Sequence, residues 1–174
     1  MSRLQGLRPV VSPATRVLVL GSFPGVRSLQ LQQYYAHPQN HFWPMARSLW
    51  PQAPWPADGD YAARCACALA QGLGIWDVYA SCEREGSLDS AIRAAQLNDF
   101  PGLLRQCPQL VAIAHNGGES FRHARAVEQS LAQAGLANRV QIHKLPSTSP
   151  ANASWSFERK LGAWRAVMQE HGLV

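Results

Sequence analysis

The residues best equipped for chemistry lie between positions 21 and 43. Gly21-Ser22-Phe23-Pro24-Gly25 sets two glycines and a proline directly after the apolar run 17–20. Such a break predicts a tight turn whose backbone can approach a ligand closely. Tyr34, Tyr35, His37, Pro38, Asn40, Phe42 and Trp43 follow, a stretch of aromatic and neutral polar groups. That mixture suits a pocket that stacks on a flat ring and hydrogen-bonds its edge. Tyr35 offers the stacking surface. Asn40 offers an amide that can hold a water molecule in one orientation; it equally fits the cap of a helix starting there. The backbone N–H groups of Ser22, Phe23 and Gly25 can face a ring edge or a developing negative charge without reorganising. A phosphate-cradling nucleotide loop fits less well, because no Lys-Ser or Lys-Thr follows the glycines.

These groups need a scaffold, and the periodicity supplies one. Residues 16–20, 75–79, 110–114 and 139–145 read as short buried strands. Helices are expected over 40–50, from Asp58 or Asp60 to 71, over 98–107, over 119–133 and from Ser154 to 170. Residues 81–87 read as a charged loop, with Ser87 or Asp89 capping a short turn that runs to 95. Alternating strands and helices predict an α/β fold, a three-layer α/β/α arrangement around a central four-stranded, mostly parallel sheet. In such sheets ligands bind beyond the carboxyl ends of the strands. The first strand leads into the glycine turn, and the second ends at Asp77. His115-Asn116-Gly117 follows the third, and Pro146-Ser147-Thr148-Ser149 the fourth. Four polar segments therefore converge on one sheet edge, which places the site. Asp77 fits a ring-edge acceptor there and also a loop cap or a partner for Arg84. Ser147, Thr148 and Ser149 fit an anion-contacting loop, or a loop that only caps the last helix.

The totals set limits. A chain of 174 residues, 47% hydrophobic, fits one domain over residues 15–174 behind a loosely held lead-in at 1–14. A net charge of +5 on only 16% charged residues points towards an anionic partner. No apolar run approaches the length of a membrane span, and no secretory leader pattern opens the chain, so a cytoplasmic monomer off the membrane is expected. Cys65, Cys67, Cys82 and Cys107 lack the usual metal or cluster spacing and read as buried reduced thiols. The six histidines show no metal-ligand spacing, so no metal and no cofactor are expected.

Taken in order, GSFPG, YYAHPQNHFW, Trp76-Asp77-Val78, Gly86-Ser87-Leu88-Asp89, His115-Asn116-Gly117 and Leu145-Pro146-Ser147-Thr148-Ser149-Pro150-Ala151 resemble the motifs of the uracil-DNA glycosylase superfamily, nearest its hypoxanthine-DNA glycosylase family. The resemblance runs from about residue 15 to about residue 166. It implies a monofunctional enzyme that flips a deaminated base from double-stranded DNA and hydrolyses the base–sugar bond, with hypoxanthine favoured and uracil or xanthine as alternatives. It implies Asn40 as the water-positioning group, because the usual amide position in the turn is Phe23. It implies Ser22, Phe23, Gly25, Tyr35 and Asp77 around the base, and His115, Asn116, Ser147, Thr148 and Ser149 against DNA. Leu145 stands where uracil-specific members carry a histidine, which counts against a purely uracil-directed enzyme. Two other readings stay open at this level: a nucleic-acid-binding module of the same fold without catalysis, and a hydrolase of free nucleosides.

Overall fold

The computed structural model describes residues 2–57 and 59–174. Its elements are β1 (Leu4–Gln5), β2 (Val17–Gly21), α1 (Val26–Leu31), α2 (Phe42–Leu49), α3 (Tyr61–Ala70), β3 (Leu73–Asp77), β4 (Tyr79–Glu83), β5 (Arg93–Leu97), α4 (Phe100–Leu104), β6 (Ala112–Asn116), α5 (Gly118–Phe121), α6 (Ala124–Gln133), β7 (Gln141–Leu145) and α7 (Phe157–Glu170). Val17 to Leu20 are fully buried, as a strand covered on both faces requires.

The four predicted strands form one parallel sheet in the order β3-β2-β6-β7, flanked by helices. Gly21 pairs with Asp77, Leu20 with His115, and Asn116 with Leu145, so all four strands end within a residue of a common row. The chain leaves β2 towards β3 on one side, and β6 towards β7 on the other. The crevice between the ends of β2 and β6 is thus the switch point of the sheet, where α/β folds bind ligands. Helix α2 is fixed over the sheet by Phe42, which meets Trp164 of α7 edge-on at 6.2 Å in the core.

The fold departs from expectation at several places. A second sheet, order β1-β4-β5 and antiparallel, lies outside the parallel one. Residues 81–83, expected in a loop, are strand, and residues 93–95, expected in a turn, belong to β5. The β5 residues are all exposed and include two alanines, so neither alternation nor β-propensity marks them; pairing with β4 makes them a strand. Residues 1–14, expected to be a loose lead-in, are tied down from β1 onward. Leu4 pairs with Cys82, Val10 bridges to Ile75, and the Tyr34 hydroxyl donates to the carbonyls of Leu7 and Arg8. The expected helix at 119–133 breaks into α5 and α6 around Arg122 and His123. Residues 26–31, for which no element was expected, form α1. Asp60 caps α3 by accepting from Ala63 N–H at 3.0 Å; the alternative cap Asp58 lies outside the described residues. Ser156, not Ser154, caps α7. All four cysteines are free thiols, three of them buried, and burial pushes their pKa values up. Among the described residues no helix is long and apolar enough to cross a membrane.

Candidate active site

A cavity of about 590 Å³ opens at the switch point. Its wall includes Gly21, Ser22, Phe23 and Gly25 from the turn after β2, with Tyr35, Asn40 and Asp77. Asn116 and the loop Ser147, Thr148 and Ser149 complete the opposite side. Ten of the eleven expected site residues therefore meet at one place. The volume falls in the ordinary range for a small-molecule pocket.

Tyr35 is held from three directions. Phe42 stacks on its ring at 4.2 Å with 24° between the planes. Asn116 Nδ2–H donates to its hydroxyl at 3.2 Å. Its backbone sits at φ 55°, the left-handed region that an aromatic residue enters only at a cost. The ring cannot swing away without losing the Phe42 stack and the Asn116 hydrogen bond, so the stacking surface is preorganised. Burial holds the phenol well above its ordinary pKa, so it stays neutral. Neighbouring Tyr34 turns its hydroxyl away, to the lead-in carbonyls.

Asn40 lies one residue before His41, the N-cap of α2. Its Oδ1 accepts Phe42 N–H at 2.9 Å, a side-chain bond to the backbone two residues on that leads the chain into the helix. That donor also fixes which end of the amide is oxygen. The Nδ2 hydrogens and the second lone pair of Oδ1 remain for the cavity, a set that can both donate to and accept from one water.

Asp77, at the end of β3, is only 5% exposed. A side chain added at Gly21 would strike its Oδ1 at 2.5 Å and the Tyr35 hydroxyl at 3.3 Å. Gly21 is therefore the gap through which carboxyl and phenol share one floor. Burial, then Asp89, push the Asp77 pKa up to about 7, with Arg84 pulling the other way. Its Oδ2 has no protein partner among the described residues. A buried, unsatisfied acceptor on a cavity floor is a group arranged for a ligand.

The turn itself is braced from behind. Ser22 Oγ–H donates to Asp89 at 2.6 Å, and Ser87 Oγ accepts Val26 N–H at 2.9 Å. The buried Arg84 guanidinium donates to the Pro24 carbonyl and lies over the Phe23 ring at 5.4 Å. Sequence reasoning gave Arg84 no such part; a charged residue in a predicted loop carries no signal that it will be buried.

Two expectations need correction. His115 does not reach the cavity or any solvent. It lies in β6, fully buried, with Nδ1 at 2.7 Å from Ser120 Oγ. Ser120 spends its one hydrogen on Leu20 O, so His115 Nδ1 is the donor. Burial, then His123, drop its pKa to about 4, which leaves a neutral core imidazole rather than a phosphate contact. Asn116 lines the cavity, but its side chain is spent internally. Nδ2 donates to Tyr35 and to Thr148 Oγ1 at 3.0 Å, and Oδ1 accepts Thr148 N–H at 3.0 Å. It clamps the 146–149 loop to β6. Thr148, fully buried, receives that clamp, and its carbonyl accepts His41 N–H. Ser147 and Ser149 remain partly exposed on the loop. Lys144, legible in the sequence only as part of a candidate basic face, lines the cavity from β7 with its ammonium over the Phe121 ring at 5.6 Å.

Comparison with known proteins agrees with this geometry. The family model described as uracil DNA glycosylase superfamily matches residues 8–168. A hypoxanthine DNA glycosylase of Methanosarcina acetivorans is 34% identical over 95% of this chain and 98% of its own. A second protein of that name, from Methanosarcina barkeri, is 32% identical over 91% of this chain and 94% of its own. A solution structure from Methanosarcina acetivorans, described as a candidate uracil DNA glycosylase, superimposes with a TM-score of 0.80 at 31% identity, covering 98% of this chain and 99% of that one.

Proposed function

This chain belongs to the uracil DNA glycosylase superfamily and is a DNA glycosylase, and we propose that it acts without a lyase step on a deaminated base flipped out of duplex DNA, hypoxanthine before uracil or xanthine. The observation that carries the proposal is the shared cavity: a locked aromatic ring, a half-committed amide and a buried carboxyl face one space of about 590 Å³. A flipped base costs a few kcal/mol of unstacking, and stacking on an aromatic side chain returns about 1–3 kcal/mol. Tyr35 provides that surface. Asp77, when ionised, accepts the ring N–H that hypoxanthine presents, which adenine lacks at the same nitrogen. The names of the relatives from Methanosarcina support the same base.

The reaction then asks for two things. A water must be set below the sugar carbon as the base–sugar bond stretches, and charge on the departing base must be stabilised. Asn40 orients the water through its free amide groups, a positioning effect with no proton transfer of its own. The backbone N–H groups of Ser22, Phe23 and Gly25 lie along the turn, where fixed dipoles stabilise a negative leaving group. Ser147 and Ser149 contact the DNA backbone, which positions the duplex without reading its sequence. Lys144, at the wall on the outer strand β7, is engaged over the Phe121 ring of α5.

Duplexes carrying one deoxyinosine, deoxyuridine or deoxyxanthosine test this. Deoxyinosine is expected to be processed fastest, with strand breaks appearing only after alkali. Absence of excision from all three overturns the proposal, and breaks without alkali overturn the monofunctional part.

A further inference from the structure

A second cavity, of about 520 Å³, adjoins the first and shares Asn40, Pro150 and Asn152 with it. Three independent features of its wall favour an anion. The first is Lys160, a lysine only 1% exposed. Its one polar contact is a long 3.4 Å hydrogen bond from Nζ to the Ser149 carbonyl, and no carboxylate pairs with it among the described residues. A buried ammonium without a counter-charge is costly, and an anion in the cavity would relieve that cost. The second is His41, whose buried Nδ1 lacks a partner. The third is the N-terminus of α7, a helix of 14 residues whose Ser156, Phe157 and Lys160 line the space, and whose dipole favours negative charge there. At the rim Arg159 stacks on Trp155 at 4.2 Å. Glu158, exposed in the first turn of α7, is the one acid close by among the described residues.

Resting on the glycosylase reading above, we propose that this second cavity seats a backbone phosphate of the DNA strand that carries the flipped nucleotide, with Lys160 as its buried cation. Asn40 is the common wall: base and sugar lie on one side, and the neighbouring phosphodiester on the other. The site is then a register device. A phosphate locked at Lys160 fixes how far the strand advances, and hence where the sugar carbon stands relative to the water held by Asn40.

The test is a set of duplexes with a stable abasic analogue, each with one methylphosphonate, an uncharged stand-in, at a different phosphate around it. Wild-type protein is expected to lose about tenfold in affinity at one position, the scale of one charged hydrogen bond. Lys160→Met should be indifferent at that position, and Lys160→Arg should remain sensitive. The log–log salt dependence of duplex binding should flatten by about 0.9 in Lys160→Met, the share of one phosphate. The wild-type scan needs no variant, so uniform insensitivity to every methylphosphonate overturns the proposal even if Lys160→Met folds poorly. An equal penalty in Lys160→Met also overturns it. So does a borohydride-trapped adduct with deoxyinosine DNA that Lys160→Met abolishes, which would assign the amine to Schiff-base chemistry. Because the duplexes contain no base at the test site, loss of hypoxanthine excision with the phosphonate effect intact would remove the base reading and leave this one standing.

Discussion

At the scale of single residues, the proposed mechanism gives Asn40 two separable duties. Removing its side chain deprives Phe42 N–H of its acceptor at the entry to α2, a loss of about 1 kcal/mol. Losing the held water costs far more in rate, on the order of 100-fold or greater. Asn40→Ala should therefore unfold at slightly lower urea, bind duplex normally and turn over deoxyinosine at least two orders of magnitude more slowly; near-normal single-turnover rates would move the chemistry elsewhere. Asp77 makes a prediction through pH. Its folded pKa is about 7 against an ordinary 3.8, because burial disfavours the charge. Between about pH 4 and about pH 7 the folded state keeps a proton that the unfolded chain has released. Stability must therefore fall as pH rises through that window and level off above it. Asp77→Asn, which never ionises, should gain on the wild type across the same interval, by a few kcal/mol at most. Urea titrations at either end of the window check this; parallel pH profiles for the two proteins would contradict it.

Among the elements, the joint between β6 and the 146–149 loop matters most. Asn116 links it with two hydrogen bonds to Thr148 and holds the Tyr35 hydroxyl with a third. Asn116→Ala strands the Thr148 N–H and hydroxyl in a buried place and frees the Tyr35 phenol. A loss of about 2–4 kcal/mol follows from leaving such groups unpaired. Excision should fall as the loop and the stacking ring loosen, while the salt dependence of duplex binding keeps its slope, because no phosphate contact is removed. A flattened slope would instead return Asn116 to the DNA surface. The same joint explains why His115 and Asn116 were easy to misplace. The apolar run ends at Ala114, but the strand continues two residues further because β7 pairs with both. A polar residue in β6, paired on both sides and covered on both faces, is buried whatever its own hydrophilicity.

For the molecule as a whole, the net charge of +5 acts on a polyanion. Duplex affinity should fall steeply with salt, with a log–log slope of about −3 or steeper if at least three phosphates are engaged; a flat dependence between low and physiological salt would contradict a DNA-bound function. Four strands, their parallel sense and the edge where the cavity opens were legible in the sequence, because β2, β3 and β6 are buried and largely apolar and α/β connectivity leaves one productive edge; β7, only partly buried, has no such uniform run. The turn at 21–25 and Asp77 were legible for a related reason, because they stand at or just past strand ends, whereas the parts given to Tyr35 and Asn40 came from the resemblance. The strand at 93–97, the burial of Lys160 and Arg84, and the inward turn of His115 and Asn116 left no mark in the sequence. Whether a polar side chain meets solvent, a partner or an empty space depends on what distant segments bring against it. Periodicity reports only which side of its own element a residue occupies, so tertiary packing alone decided which of these polar groups serve the site and which hold it together.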